Sequence, residues 1–195
     1  MAITIEDIKK LKELSGVGLT DAKKALVEAD GDFDKALEAM RKKGLTKAEK
    51  RGDRETREGI IDSYIHDGRI GAIVEVNCET SFVAKTDEFK DLAHKLAMQI
   101  ASMAPLYVSE EDIPEDARVA KMKELEENFK GPENMKDQIL EGQIKKAFSD
   151  KVLMNQPYIL DDSKTVAGFI KDCIAKTGEN ITVRQFKRIE LGVTE

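Results

Sequence analysis

The groups in this chain that could make or break bonds are few. They are Cys78 as a nucleophile, His66 and His94 as proton carriers or metal ligands, and the loop Ser15-Gly16-Val17-Gly18 as a phosphate cradle. Each of these chemistries needs companions. A cysteine nucleophile needs a base to activate it, and no motif supplies one to Cys78. The histidines have no His, Cys or carboxylate partners at metal-ligand spacing, which leaves them solvated or structural. A phosphate loop needs a strand before it and Gly-Lys-Ser/Thr at its end, so SGVG reads as a turn between helices. The 38 Asp and Glu residues give many carboxylate pairs and no reason to single one out. A solvated charged face accounts for them. No enzyme activity, metal or cofactor is expected.

The residue that asks for an explanation is Phe82, in the stretch Asn77-Cys78-Glu79-Thr80-Ser81-Phe82-Val83-Ala84-Lys85. An apolar, strand-like run precedes it and a helix-like run follows. Ser81 reads as the helix N-cap, its hydroxyl accepting from a free amide of the first turn. Phe82 then opens the helix, and with no earlier turn beneath it the ring can project from the fold. Burial statistics favour the opposite outcome, a ring folded back as a core plug. Composition and spacing leave both open.

The elements that must position this turn are legible on either side. Residues 3–43 accommodate three helices: Thr4 and Asp7 make a capping pattern, Asp32 an N-cap, and Gly44 a stop after Met40. Residues 45–58 are charged and poor in large apolar residues, a linker with room for some helix. Asp67-Gly68 is a type I′ hairpin signal. As a two-residue loop it places Ile61, Ser63 and Ile65 opposite Val74, Ala72 and Ile70 on one largely apolar face, the face expected to be covered. Phe89, Leu92, Leu96, Ile100 and Met103 mark a long amphipathic helix ending before Pro105. Residues 115–130 and 133–149 form an αα-hairpin around Gly131-Pro132, residues 152–154 an extended run, and residues 164–176 a helix. The alternation from Ile181 to Leu191 is a strand returning to the hairpin. The expected fold is α+β: a three-helix module over 1–44, a linker over 45–58, and a core over 59–195 with a small antiparallel sheet covered by helices.

Composition narrows the partners. With 195 residues, 41% hydrophobic and 36% charged, the chain holds a modest core under a heavily charged surface. A net charge of −6 argues against a surface devoted to nucleic acid or to a membrane. The charge is uneven: residues 41–57 hold eight Lys/Arg against three acids, and residues 110–127 hold eight acids against three bases. A basic stretch interrupted by acids, with no base-reading module, is a weak nucleic-acid signal. No apolar run approaches the roughly 20 residues of a membrane span, and the N-terminus has no signal-peptide pattern. Two distant cysteines, Cys78 and Cys173, make no disulfide framework, so a reducing cytoplasm is expected.

The turn resembles the Thr-Asp-Phe-Val-Ala signature of bacterial elongation factor Ts, the nucleotide-exchange factor of elongation factor Tu. The likeness extends in order along the chain: LKELSGVGLTDAKKALVEADGDFDKALEAMRKKG (11–44) resembles the family's UBA-like docking head, and IGAIVEVNCETSFVAKTDEF (70–89) its core strand and signature turn. EGQIKKAF (141–148), QPYI (156–159) and GENITVRQFKRIEL (178–191) resemble its C-terminal body. The resemblance implies that Lys12, Leu19 and Thr20 of the head contact the GTPase domain of elongation factor Tu. It implies that Phe82, assisted by Ser81 and followed by Val83, wedges beside that domain's magnesium and phosphate site, and that the long helix around Met98 and Gln99 reaches another partner domain. Ser81 stands where the family usually has Asp, Gln99 where it commonly has His, and Thr20 where it has Met. Altered affinity, not lost function, is the expectation. A single signature copy resembles the family's short form, which implies a homodimer. A docking module that binds without exchanging nucleotide is the alternative.

Overall fold

The computed structural model describes residues 3–15, 18–49, 51–129, 131–132 and 135–193, except for the side chains of Glu13, Arg41 and residues 43–49. In chain order the elements are α1 (Ile5–Ser15), α2 (Leu19–Glu28), α3 (Phe33–Glu49), β1 (Glu58–His66), β2 (Ile70–Cys78), α4 (Ser81–Ala84) and α5 (Asp87–Met103). They continue with α6 (Glu115–Glu127), α7 (Lys136–Ser149), β3 (Pro157–Tyr158), β4 (Asp161–Thr165), α8 (Val166–Thr177) and β5 (Ile181–Glu190). The fold is α+β. Its main sheet has the order β1-β2-β5, and β3-β4 form a separate two-stranded ladder.

The first three helices close on a core of Leu11, Ala22, Ala25, Leu26, Ala36 and Met40. Three of these six are alanines, whose small side chains let the helix axes approach. The caps match the sequence. The Thr4 amide and hydroxyl donate to Asp7 Oδ2 at 3.1 and 2.6 Å, and the Asp7 amide donates back to Thr4 Oγ1 at 3.1 Å. Asp32 Oδ1 accepts from the Lys35 amide at 3.1 Å at the start of α3. Gly44 does not end α3, which continues to Glu49. A single glycine costs a helix only about 1 kcal/mol, and the good helix formers after it outweigh that. Gly16 and Val17, on which the expected break after α1 partly falls, lie outside the described residues.

Two compact units are built from interleaved segments: Met1–Ile61, Glu75–Ala93 and Gly168–Val183 in one, Asp62–Val74, His94–Ala167 and Arg184–Glu195 in the other. The first contains the three-helix head and the Phe82 turn. The second contains the αα-hairpin of α6 and α7 and the β3-β4 ladder.

The hairpin turn has the expected backbone, with Asp67 and Gly68 at φ 49° and 66° and the Arg69 amide donating to the His66 carbonyl at 2.9 Å. The covered face of β1 is the opposite of the expected one. Ile61 and Ile65 are 67% and 70% exposed, whereas Ala72 and Val74 of β2 are buried. Asp62 and Tyr64 are the half-buried pair. Asp62 lies 3.4 Å from His94 Nδ1 of α5, and the Tyr64 ring meets the His94 ring edge-on at 5.9 Å. Three residues, 67–69, separate β1 from β2 where a two-residue loop was expected, and a change of one residue in pairing exchanges the two faces of a strand. On β5 the covered parity changes along the strand: Ile181 and Val183 are buried, then Phe186 and Arg188 are half-buried while Lys187 and Ile189 are exposed. Two further local expectations are corrected. Residues 153–155 form a 3-10 turn, and residues 161–165 form β4, so α8 begins only at Val166.

Candidate partner-binding site

Of the seven phenylalanines in the chain, Phe82 alone is exposed, at 79%. It stands on α4, a helix of four residues that could not persist in isolation, since a single turn fixes several dihedrals for almost no hydrogen-bond return. What holds α4 lies around it. Val83 and Ala84 are buried beneath the turn at 7% and 5%, after a β2 that ends in the buried run Val76-Asn77-Cys78. The N-cap is Thr80, not Ser81: Thr80 is extended (φ −129°, ψ 149°) and its hydroxyl accepts from the Val83 amide at 3.4 Å. Ser81 is therefore the first helical residue and Phe82 the second, both exposed. Threonine caps nearly as well as serine, and the extended end of β2 delivers Thr80, not Ser81, to the non-helical position that a cap requires.

Thr80 is itself gripped by Glu179, in the short connection between α8 and β5. The Thr80 hydroxyl donates to Glu179 Oε1 at 2.6 Å and its amide donates to Oε2 at 3.0 Å. Such two-point, charge-assisted binding fixes direction as well as position. The Thr80 carbonyl accepts from the Cys78 thiol at 3.2 Å and from the Ala84 amide at 3.2 Å. Burial, and after it the negative charge of Glu179, push the Cys78 thiol above its ordinary value. Both cysteines are buried, as small structural thiols are.

On the head, Lys12 of α1 and Leu19 and Thr20 of α2 are exposed, Leu19 at 53%. Val27, two turns beyond Thr20, is 55% exposed and shares with it a shallow hollow edged by Lys23, Lys24 and Glu28. Its spacing of seven from Thr20 places Val27 on the same helix face.

Two of the residues expected at a partner surface lie inside. Val83 packs under the turn. Gln99 is fully buried and its amide is wholly occupied: Nε2 donates to Gln156 Oε1 at 3.1 Å and to the Pro157 carbonyl at 3.2 Å, while Oε1 accepts from the Ile159 amide at 2.9 Å. Gln156, also buried, passes the connection on to the carbonyls of Met103 and Asp150. Met98 is half-buried. In the basic stretch, Arg51 donates to the Ile174 carbonyl at 3.3 Å, and the side chains of Lys47 and Lys50 lie outside the described residues. Among the described residues no group of three or more His, Cys, Asp or Glu side chains is arranged to hold a metal ion, and no helix is long and apolar enough to cross a membrane.

These features define an α+β protein that displays one aromatic ring on a short, braced helix beside its main sheet and carries a three-helix head. The chain belongs to the elongation factor Ts family: the family model described as "Elongation factor TS" matches residues 9–193. It is similar to the elongation factor Ts of Thermotoga maritima, with 52% identity covering 98% of both chains. The elongation factor Ts of Moorella thermoacetica is 48% identical, covering 97% of this chain and 96% of the relative. That of Fervidobacterium nodosum is 46% identical, covering 98% and 100%.

Proposed function

We propose that the chain is the guanine-nucleotide exchange factor for elongation factor Tu in translation elongation, acting in the cytoplasm, and that Phe82 is the group that loosens GDP. The observation that carries this reading is the ring itself. A phenylalanine held 79% in solvent forgoes the stabilisation of burial, which for a large apolar side chain is about 1.5–3 kcal/mol. A partner pocket recovers it, as for aromatic hot spots at interfaces. GDP is held by magnesium and by backbone amides around its phosphates. A ring inserted beside that site displaces those groups and weakens the nucleotide. Linkage is reciprocal, so nucleotide rebinding weakens the grip of the exchange factor by the same factor and releases it. No bond is made or broken.

In this reading Lys12, Leu19 and Thr20 dock the head (1–44), the segment 45–58 links it to the body (59–195), and Ser81 flanks the wedge. Met98 lies at the edge of the contact, and Val83 and Gln99 contribute from within, by supporting α4 and α5. The test is release of fluorescent GDP from elongation factor Tu. Wild type accelerates it, and Phe82→Ala loses roughly 30-fold or more of the acceleration, the equivalent of a hot spot of 2 kcal/mol. Binding of wild type without faster release would replace this reading by the docking module.

The exposed face of the main sheet supports the homodimer. Ile65, Ile73 and Ile189, all on its strands, are 70%, 46% and 74% exposed. They stand on the face away from α5, which engages Asp62 and Tyr64 and accepts a bond from Arg188 Nε at the Ala101 carbonyl. An uncovered apolar sheet face is the kind of surface a second copy buries. Sedimentation at micromolar concentration is expected to show a dimer, and Ile73→Lys with Ile189→Lys a monomer. A wild-type monomer would remove the dimer from the proposal.

A further inference from the structure

We propose that Glu179 and Asn180 are positioning residues for exchange, a two-residue clasp that aims Phe82 and ties its turn to the segment leaving the head. This rests on the reading of Phe82 as the acting group and adds what sets its place.

The clasp works in two directions from one point of the chain. Glu179 holds Thr80 by amide and hydroxyl, as described above. Asn180, 2% exposed, holds the other side. Its Nδ2 donates to the Gly52 carbonyl at 3.2 Å and to the Arg54 carbonyl at 2.8 Å, and its backbone amide donates to Glu79 Oε1 at 2.7 Å. Arg54 closes the ring, with its guanidinium Nη1 3.3 Å from Glu79 Oε2. The Thr56 and Thr182 hydroxyls lie 2.9 Å apart, and Arg51 Nη1 donates to the Ile174 carbonyl, so residues 51–56 are fastened at several points. Residues 79 and 80, immediately before α4, thus receive polar bonds from both the α8–β5 connection and the chain that follows α3.

A structural role alone does not call for this arrangement. The segment 51–56 could cross this surface with water on its carbonyls. Instead a nearly buried asparagine spends both amide protons on it, and the next residue toward the N-terminus spends both carboxylate oxygens on the cap of α4. An exposed ring that must enter a pocket on another molecule needs a defined direction, because a wedge misplaced by about 1 Å loses much of its effect. The clasp supplies that direction.

The experiment uses the full chain and GDP-loaded elongation factor Tu, with Glu179→Gln, Thr80→Val, Thr80→Ser and Phe82→Ala, and the doubles of the first two with Phe82→Ala. Glu179→Gln sets an amide against the Thr80 donors, and Thr80→Val removes the hydroxyl at constant shape. Each is expected to lower the release rate at saturating exchange factor about tenfold, the worth of one charge-assisted hydrogen bond. The half-saturating concentration, set largely by the head, should move less than about twofold, and Thr80→Ser should retain the wild-type rate. In the Phe82→Ala background neither change should cost anything more, because a missing ring cannot be misaimed. In the free protein, amide exchange at Val83 and Ala84 should quicken in both variants while that of Val74 and Val76 holds, which separates a loosened turn from a misfolded chain. Unchanged protection at Val83, an additive loss with Phe82→Ala, or full activity of Glu179→Gln beside a defective Phe82→Ala would each overturn the clasp and leave the wedge standing. A fully active Phe82→Ala would overturn the wedge, and the role of the clasp in exchange with it.

Discussion

The three-helix head and the Phe82 turn solve the same problem, holding side chains out for a partner, by opposite means. The head relies on local order. Its caps join residues three apart, Thr4 with Asp7 and Asp32 with Lys35, and its core is a small apolar set around Leu11 and Leu26. The turn relies on distant order. α4 has four residues, too short to persist alone, and its cap is held by a carboxylate 99 positions away. A head built on apolar contacts tolerates surface change but not loss of volume. A turn built on directed polar bonds tolerates little change in geometry, yet the residue it presents stands largely in water.

The largest expected effect separates the two. Leu26→Ala empties the centre of the head and should cost about 2–5 kcal/mol there. Amides of α1–α3 should lose protection in hydrogen exchange while those of Val83 and Ala84 keep theirs. Equal loss in both regions would show that they fold as one cooperative piece. Next comes Thr80→Val, which removes the cap and one clasp bond and should cost about 1 kcal/mol. Cys78, whose raised thiol value and burial keep it inert, should then be alkylated faster than in wild type, with the head unaffected. Smaller again, Phe82→Ala should change the unfolding free energy by no more than about 0.5 kcal/mol, as for other exposed substitutions. A large loss in thermal denaturation would mean that the ring is part of the fold after all.

The smallest effect is acid sensitivity of the head. Hydrogen bonds from the Thr4 hydroxyl and amide hold the Asp7 carboxyl below the ordinary value of 3.8, and the bond from the Lys35 amide does the same for Asp32. The folded carboxyls bind protons more weakly than the unfolded ones. Their contribution is therefore complete above the ordinary value and fades as the pH falls through the lowered folded values. Both residues are only partly covered, so the change is slight. Helicity followed from about pH 5 to pH 2 should fall more steeply in wild type than in the Asp7→Asn, Asp32→Asn double variant. Identical curves would deny the caps this role.

How much was legible follows the same division. The head could be read because capping and helical periodicity act over three or four residues; the end of α3 was misplaced, since a lone glycine is a weak stop. The main-sheet strands and the αα-hairpin could be read from turn residues and alternation. The covered face of β1 could not, because Ile61 and Ile65 satisfy the apolar pattern as well as a buried pair would, and the face reverses when the loop between β1 and β2 takes three residues instead of two. The β3-β4 ladder was missed because Asp161-Asp162-Ser163-Lys164-Thr165 carries no apolar alternation. At the site, the resemblance brought Phe82, Ser81 and the head residues forward, and all of these are exposed. Val83 and Gln99 came forward with them and are buried. Neighbourhood in sequence does not say on which side of a helix a residue ends.

The amino-acid sequence by itself determined that this chain would be α+β, with a capped three-helix module ahead of a small sheet, because those features arise from interactions between near neighbours. It also determined which ring would be conspicuous. Only the tertiary structure decided that the ring faces water, that Thr80 rather than Ser81 caps its helix, and that Glu179 and Asn180 hold the turn. Those outcomes depend on which distant groups arrive within hydrogen-bond reach, and nothing local to residues 77–85 specifies that.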